Sequence, residues 1–391
     1  MTSQKLYGKL IFTIGLCIVF AMALVQFILA EMGAKSQGVI ARVLQSRAAL
    51  QQIIAEPNDV VLFYGSSMTR AGFSARQFDA DLAALGKTVK SFNFGFGGLN
   101  PYFQDFYSRR IAESFKISER KIKLTIIEFN PFQTTQTRWH RAAPVIDSFL
   151  TLLATDPELI EITKDDITRA IRLFTIKYLR SNISAEMITS TLGREIFPPT
   201  SNQLFKDDDN IIAERRRLGN LLDDKFKQEY PHYKPSQWSY EWQGAGTIAE
   251  ERSVETLAIF NDYYAVTQTD NQMQNDRLSR IRSADIEALH FEPLLVEHFI
   301  NIIKNFQQVS DNVEVIMLPK NSKWIKTTPE GEKRLAEVVK KIEQAVGIKV
   351  KNHQHIKGIT PAMFRDTTHL SRYRGDVFYT DYLIKQYSTL F

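Results

Sequence analysis

The stretch DVVLFYGSSMTRAG, residues 59–72, decides the reading of the fold. Asp59–Tyr64 is a β-rich apolar run, Gly65 permits a tight turn, and a helix-compatible segment follows over Ala75–Leu85. Three more runs repeat the pattern. Val89–Phe94 meets the glycines of NFGFGG, Lys123–Phe129 (KLTIIEF) stops at Asn130-Pro131, and Val313–Leu318 (VEVIML) follows a helical pattern around Pro293–Phe306. Apolar runs alternating with helical segments predict an α/β domain of three layers, a parallel sheet with helices on both faces. Ligands of such sheets sit at the carboxyl ends of the strands.

Outward from that unit, the chain divides into residues 1–31, 32–58, 59–135, 136–286 and 287–391. The first segment carries Leu10–Ala30, an apolar run without a charged residue. It has roughly the 20-residue length that spans a hydrocarbon core, longer than the cleavable core of a signal peptide. Lys5 and Lys9 precede it and Glu31 follows, which predicts a retained single-pass anchor in the cytoplasmic membrane with the bulk of the chain outside. Residues 32–58 read as a juxtamembrane helix ending at Glu56-Pro57. Residues 136–286 break the alternation with helical patterns such as VIDSFLTLLA and ITRAIRLFTIKYL, and read as a helical insertion, a cap or docking surface that supplies no triad member. Its Trp238, Tyr240 and Trp242 read as local packing.

Charge is mixed, 49 Lys and Arg against 44 Asp and Glu, so nucleic acid is not an expected partner. The single cysteine, Cys17, lies in the apolar run after Leu16, which excludes an intrachain disulfide and does not resemble a lipidation signal. His353 and His355 form a His-x-His without an accompanying carboxylate or cysteine pattern, and read as a solvated loop and not a metal pair. No cofactor is expected. Arg138, Trp139, His140 and Arg141 read as solvated charges around one packed aromatic, the alternative being a cationic rim beside the site.

The residues able to do chemistry fall just after the strands. Ser66 and Ser67 follow the first run, where a serine is either an N-cap or an exposed nucleophile at a helix N-terminus. Glycines 95, 97 and 98 follow the second and let backbone N–H groups approach a ligand. Asn130 follows the third, as a turn former or as an oxyanion donor. Asp366 precedes His369 by three residues, a spacing that on one helical turn lets the carboxylate orient the ring.

Taken together, four segments resemble the sequence blocks of the SGNH (GDSL-type) hydrolase superfamily. GSSMTRAG resembles GDSxTxG, NFGFGG the block ending in the oxyanion glycine, EFNP the block GxND, and DTTHL the block DxxH. The resemblance implies a flavodoxin-like SGNH domain with Ser67 as nucleophile, Asp366 and His369 completing a triad, and Ser67, Gly98 and Asn130 forming the oxyanion hole. Ser66 stands in place of Asp, Glu128 in place of Gly, and Pro131 in place of Asp. The paired serines are similar to those of membrane-anchored members that act in teichoic-acid D-alanylation, and the single anchor resembles proteins of alginate O-acetylation. That branch implies O-acyl transfer to an envelope polymer, an acylated small molecule or envelope glycan as substrate, and a multispanning membrane O-acyltransferase as partner. An esterase or deacetylase is the second reading, and a degenerate glycan-binding scaffold the third. The third rests on Glu128: strand alternation puts it on the side of Asn130, where an ionised carboxylate would oppose an oxyanion.

Overall fold

The structure is a computed structural model that describes residues 2–34, 39–164, 166–178, 209–229, 253–372 and 374–391. In chain order the elements are α1 (Thr2–Ala34), α2 (Val39–Ile54), β1 (Asp59–Ser66), α3 (Ser67–Gly72), α4 (Ala75–Ala84), β2 (Val89–Phe96), α5 (Pro101–Ile117) and β3 (Ile122–Glu128). Then come α6 (Gln136–Leu153), α7 (Asp156–Ile162), α8 (Ile167–Tyr178), α9 (Asp209–Glu229), α10 (Val254–Thr267) and α11 (Asp270–Ala284). The chain closes with α12 (Pro293–Gln307), β4 (Ser310–Met317), α13 (Pro329–Val346), β5 (Val350–Asn352) and α14 (Gly375–Tyr387). It divides into two compact units, Met1–Leu44 with Pro144–Thr200, and Gln45–Ala143 with Ser201–Phe391.

In the first unit, α7 opens with a capping box between Thr155 and Glu158, and the buried Asp147 pairs with Arg169 and Arg172. Helix α1 contains the apolar run read as an anchor, and Leu10, Ile11, Phe12, Ile14, Val19 and Phe20 are exposed along it. Among the described residues, no helix is long and apolar enough to cross a membrane.

The second unit holds a sheet of five parallel strands in the order β2-β1-β3-β4-β5. Strand β1 reads as a continuous apolar run because both its faces are covered. Val61 and Phe63 face a core completed by Phe78 and Leu82 of α4 and by Tyr379 and Leu383 of α14. Tyr64 faces the other way, its ring edge-on to Phe306 of α12 and its hydroxyl donating to the Gln104 carbonyl of α5. Ser310–Met317 and Ile122–Glu128 pair in register from Ile122 with Ser310 to Glu128 with Ile316. The chain leaves β1 toward β2 on one side and crosses back to β3 on the other, so the carboxyl ends of β1 and β3 flank the reversal of winding, where such sheets bind ligands.

All four expected runs are strands, with β1 and β2 continuing to Ser66 and Phe96. The short edge strand β5 was not expected. Within 136–286 every described element is a helix, and the antiparallel bridge between Thr135 and Phe291 ties together the two ends of that segment. Trp238, Tyr240 and Trp242 lie outside the described residues.

Candidate active site

The turn after β1 is built around one glycine and one carboxylate. Ser66 caps α3, its Oγ accepting from the Met68 N–H at 3.1 Å, which leaves Ser67 as the first helical residue, half-buried at the mouth of the sheet. The buried Glu128, from the end of β3, accepts from the backbone N–H groups of Ser66 (2.8 Å) and Thr69 (3.1 Å) and from both their hydroxyls. A Cβ on Gly65 would sit 2.3 Å from Thr69 Oγ1 and 2.5 Å from Glu128 Oε2, so only glycine admits this carboxylate. Across β2, a Cβ on Gly95 would meet the Arg70 backbone nitrogen at 2.3 Å, which is how closely α3 lies on that strand.

Glu128 and Asn130 do face the same side, as alternation requires, and both oxygens of the carboxylate are engaged by donors of the turn after β1. The carboxylate is saturated by the first turn of α3, a helix N-terminus that favours negative charge. Where the superfamily blocks carry Asp, this chain has Ser66, and a carboxylate reaches the same turn from Glu128 on the neighbouring strand. Burial pushes Lys320 down to about 8, opposed by the charges of Glu128 and Glu332, and its ammonium rests over the Phe132 ring at 4.6 Å.

Asp366 and His369 arrive from the other end of the chain on an irregular loop closed by the Phe364–Leu370 bridge, not on a helical turn as the spacing suggested. The short side chain of Asp366 folds the loop on itself: its Oδ1 accepts from the N–H groups of Thr368 and His369, both at 2.8 Å. The same carboxylate meets the His369 ring, with Nδ1 2.8 Å from Oδ2. The other ring nitrogen, Nε2, lies 2.8 Å from Ser67 Oγ. Burial alone would push Asp366 up, but the charges of His369, Arg280 and Arg365 and the hydrogen bond to His369 hold it well below the usual carboxylate range. It is therefore ionised at neutral pH, the form that orients an imidazole and stabilises its protonated state.

Asn130 is also fixed. Its Oδ1 accepts from Phe132 N at 3.0 Å, which aims Nδ2 at Ser66 Oγ (2.9 Å) and the weak acceptor Met68 Sδ (3.4 Å). Gly98, with φ of +75°, projects beyond β2, and its carbonyl accepts from Arg138 Nη2. Ser67, Gly98, Asn130 and His369 line one cavity of about 160 Å³, with Arg138 and Arg280 at its walls. Arg138 thus faces the site, correcting the solvated reading, whereas His140 and Arg141 are exposed. On its other side Ser67 opens into a cleft of about 680 Å³ bordered by α9 and α10.

The reading from sequence missed the support given by α11. Arg280 Nη2 lies 3.4 Å from Asp366 Oδ1, and Asp276 accepts from Arg280 Nε at 2.8 Å and from Thr367 N at 3.1 Å. Their i, i+4 spacing in DNQMQNDRLSRIRSA is that of any solvated helix pair, so nothing in the sequence singles them out. The His-x-His reading is corrected in one half: His355 is exposed, but His353 is buried with Nδ1 2.7 Å from the Tyr379 hydroxyl. No group of three or more potential metal ligands occurs among the described residues.

The model of the family described as DltD protein matches residues 160–375, more than half of the chain. The chain belongs to the DltD protein family. This is the family of teichoic-acid D-alanylation, within an SGNH-like hydrolase branch, and its role lies in modification of the cell envelope. The matched range includes Asp366 and His369 and begins after Ser67, Gly98 and Asn130, so the DltD assignment and the serine turn are independent observations. No curated protein matches the chain.

Proposed function

We propose that the protein is an extracytoplasmic serine acyl-ester enzyme that transfers a short acyl group to an envelope polymer through an acyl-Ser67 intermediate. The observation that carries this reading is the continuous contact from Asp366 through His369 to Ser67 Oγ. In the mechanism, His369 Nε2 takes the Ser67 proton as Oγ attacks the acyl carbonyl, and Asp366 stabilises the resulting imidazolium. The tetrahedral oxyanion is held by the backbone N–H groups of Ser67 and Gly98 and by Asn130 Nδ2. His369 then protonates the departing alcohol. An acceptor hydroxyl repeats these steps in reverse and leaves with the acyl group.

Two features support a polymer acceptor over water alone. The small cavity suits a short acyl group, with Phe132, Ala284 and Ile286 as apolar wall. Among the described residues the larger cleft is bordered by Arg70, Arg216, Arg365 and Arg372 and by no carboxylate, which favours an acceptor with negative charge. The inactive scaffold reading rests on Glu128, and the engagement of that carboxylate by Ser66 and Thr69 weighs against it. Tethering through Leu10–Ala30, with the enzyme outside the cytoplasmic membrane, is part of the proposal. It is supported by the charge-free run and by Lys5 and Lys9 before it and Glu31 after it. A multispanning membrane acyltransferase is the natural donor partner.

The test is covalent trapping by an active-site fluorophosphonate, read by mass on the Ser67 peptide. Labelling is expected in the wild type, absent in Ser67→Ala and strongly slowed in His369→Ala. A folded wild-type protein that stays unlabelled overturns the enzyme reading.

A further inference from the structure

We propose that Glu128 is a positioning residue that aims the Asn130 amide into the oxyanion hole through the hydroxyl of Ser66. This inference rests on the catalytic reading above and extends it to a residue that the resemblance to known blocks does not account for.

The argument is one of hydrogen-bond inventory. A serine hydroxyl has one proton and two acceptor sites. Ser66 Oγ lies 2.8 Å and 3.0 Å from the two oxygens of Glu128, 3.1 Å from Met68 N and 2.9 Å from Asn130 Nδ2. A carboxylate only accepts, so the hydroxyl proton is committed to Glu128. Both acceptor sites then face away from it, one toward the first turn of α3 and one toward Asn130. The far end of the Asn130 carboxamide is pinned by Phe132 N, so the amide plane is set from both ends. The carboxylate itself is held against movement by Ser66 N, Thr69 N and the Thr69 hydroxyl, and the bare Gly65 gives it room. Three strand-end residues, 66, 128 and 130, therefore form a chain that ends on a reacting-site donor. All three are buried, so water does not compete for these contacts.

A Glu128→Gln change keeps the shape and breaks the logic. The new amide donates, so Ser66 Oγ faces a third donor and Asn130 is displaced from it. The rate of acyl-enzyme formation from an activated acetyl ester should fall by about 10²-fold, the loss typical of one oxyanion donor. Asn130→Ala should fall by a similar factor, and the double variant should be within about threefold of the worse single variant, because both remove the same donor. Ser66→Ala, which leaves Glu128 its contacts with Thr69, should behave likewise and serves if Glu128→Gln does not fold. Multiplicative losses in the double variants, or near wild-type rates for Glu128→Gln and Ser66→Ala, overturn the proposal.

A second readout separates it from the catalytic reading. In protein labelled with ¹⁵N-asparagine, the side-chain amide resonances of Asn130 should shift in Glu128→Gln and in Ser66→Ala. If the wild type forms no acyl-enzyme yet those resonances shift, the catalytic reading fails while the positioning stands. If the resonances do not move, the positioning is refuted whatever the activity.

Discussion

Replacing Asp366 by Asn tests the triad with little disturbance of the loop that carries it. In the native site Oδ1 takes the two backbone N–H groups at 2.8 Å, and Oδ2 meets the ring Nδ1 at 2.8 Å. Asparagine can leave its oxygen on the two N–H groups, so the bend survives, but it then presents an NH₂ group to Nδ1. The ring must accept there, its proton moves to Nε2, and the nitrogen 2.8 Å from Ser67 Oγ can no longer take a proton. The comparable change in a well-studied serine protease costs about 10⁴ in turnover. At 1.36 kcal/mol per tenfold this corresponds to about 5.4 kcal/mol of transition-state stabilisation. The assay is single-turnover acylation of the full chain by an activated acetyl ester, with thermal unfolding to verify the fold. A correctly folded Asp366→Asn protein that loses less than about tenfold would show that His369 is not the base acting on Ser67.

Other consequences can be measured separately. Asn130→Ala should reduce the acylation rate by about 10²–10³ with KM little changed, because the amide acts on charge that develops only in the transition state; a change confined to KM would refute that role. Gly65→Ala should destabilise the protein by about 1–3 kcal/mol in denaturant melts, since the added Cβ lands 2.3 Å from Thr69 Oγ1, and an unchanged midpoint would contradict the packing of the turn. Burial, aided by Lys351, pushes His353 from 6.5 down to about 4. Between those pH values the unfolded chain binds more protons than the folded one, so stability should fall as pH drops, by about 3 kcal/mol across the window, and be fully present above 6.5. Urea titrations at pH 7.5 and pH 5 should show that slope flattened in His353→Gln, and an equal slope in the variant would refute the assignment.

What could be read from sequence follows burial. The four long strands announce themselves because a strand covered on both faces must be apolar throughout, as Val60–Tyr64 is. Strand β5 has three residues at the sheet edge, with Lys351 and Asn352 exposed, and carries no comparable signal. Ser67 and Asn130 were legible from their places after strands, and His369 from its spacing to Asp366 and the likeness of DTTHL to a known block. Glu128 was legible as an anomaly but not as a support, because the donors that satisfy it belong to another segment, α3. Asp366-Thr-Thr-His369 fits a helical turn by spacing alone, but its side-chain oxygen competes for the backbone N–H groups and bends the chain instead. Arg280 and Asp276 meet the loop only after α11 has docked, and pairwise contacts of that range are not written in local pattern.

The distance along the chain between Ser67 and His369 also sets an order of events. During synthesis the serine and the asparagine leave the ribosome long before the base, and so does α11, whose Arg280 and Asp276 hold the loop that carries His369. Until His369 emerges, the Ser67 hydroxyl lacks the ring nitrogen that lies 2.8 Å from it in the folded chain, although α11, which will hold the Asp366 loop, is already made. On the proposed mechanism the nascent chain is inert toward acyl esters until the loop of Asp366 and His369 lies beside the serine turn. A chain halted anywhere before residue 366 carries the serine turn without the means to use it.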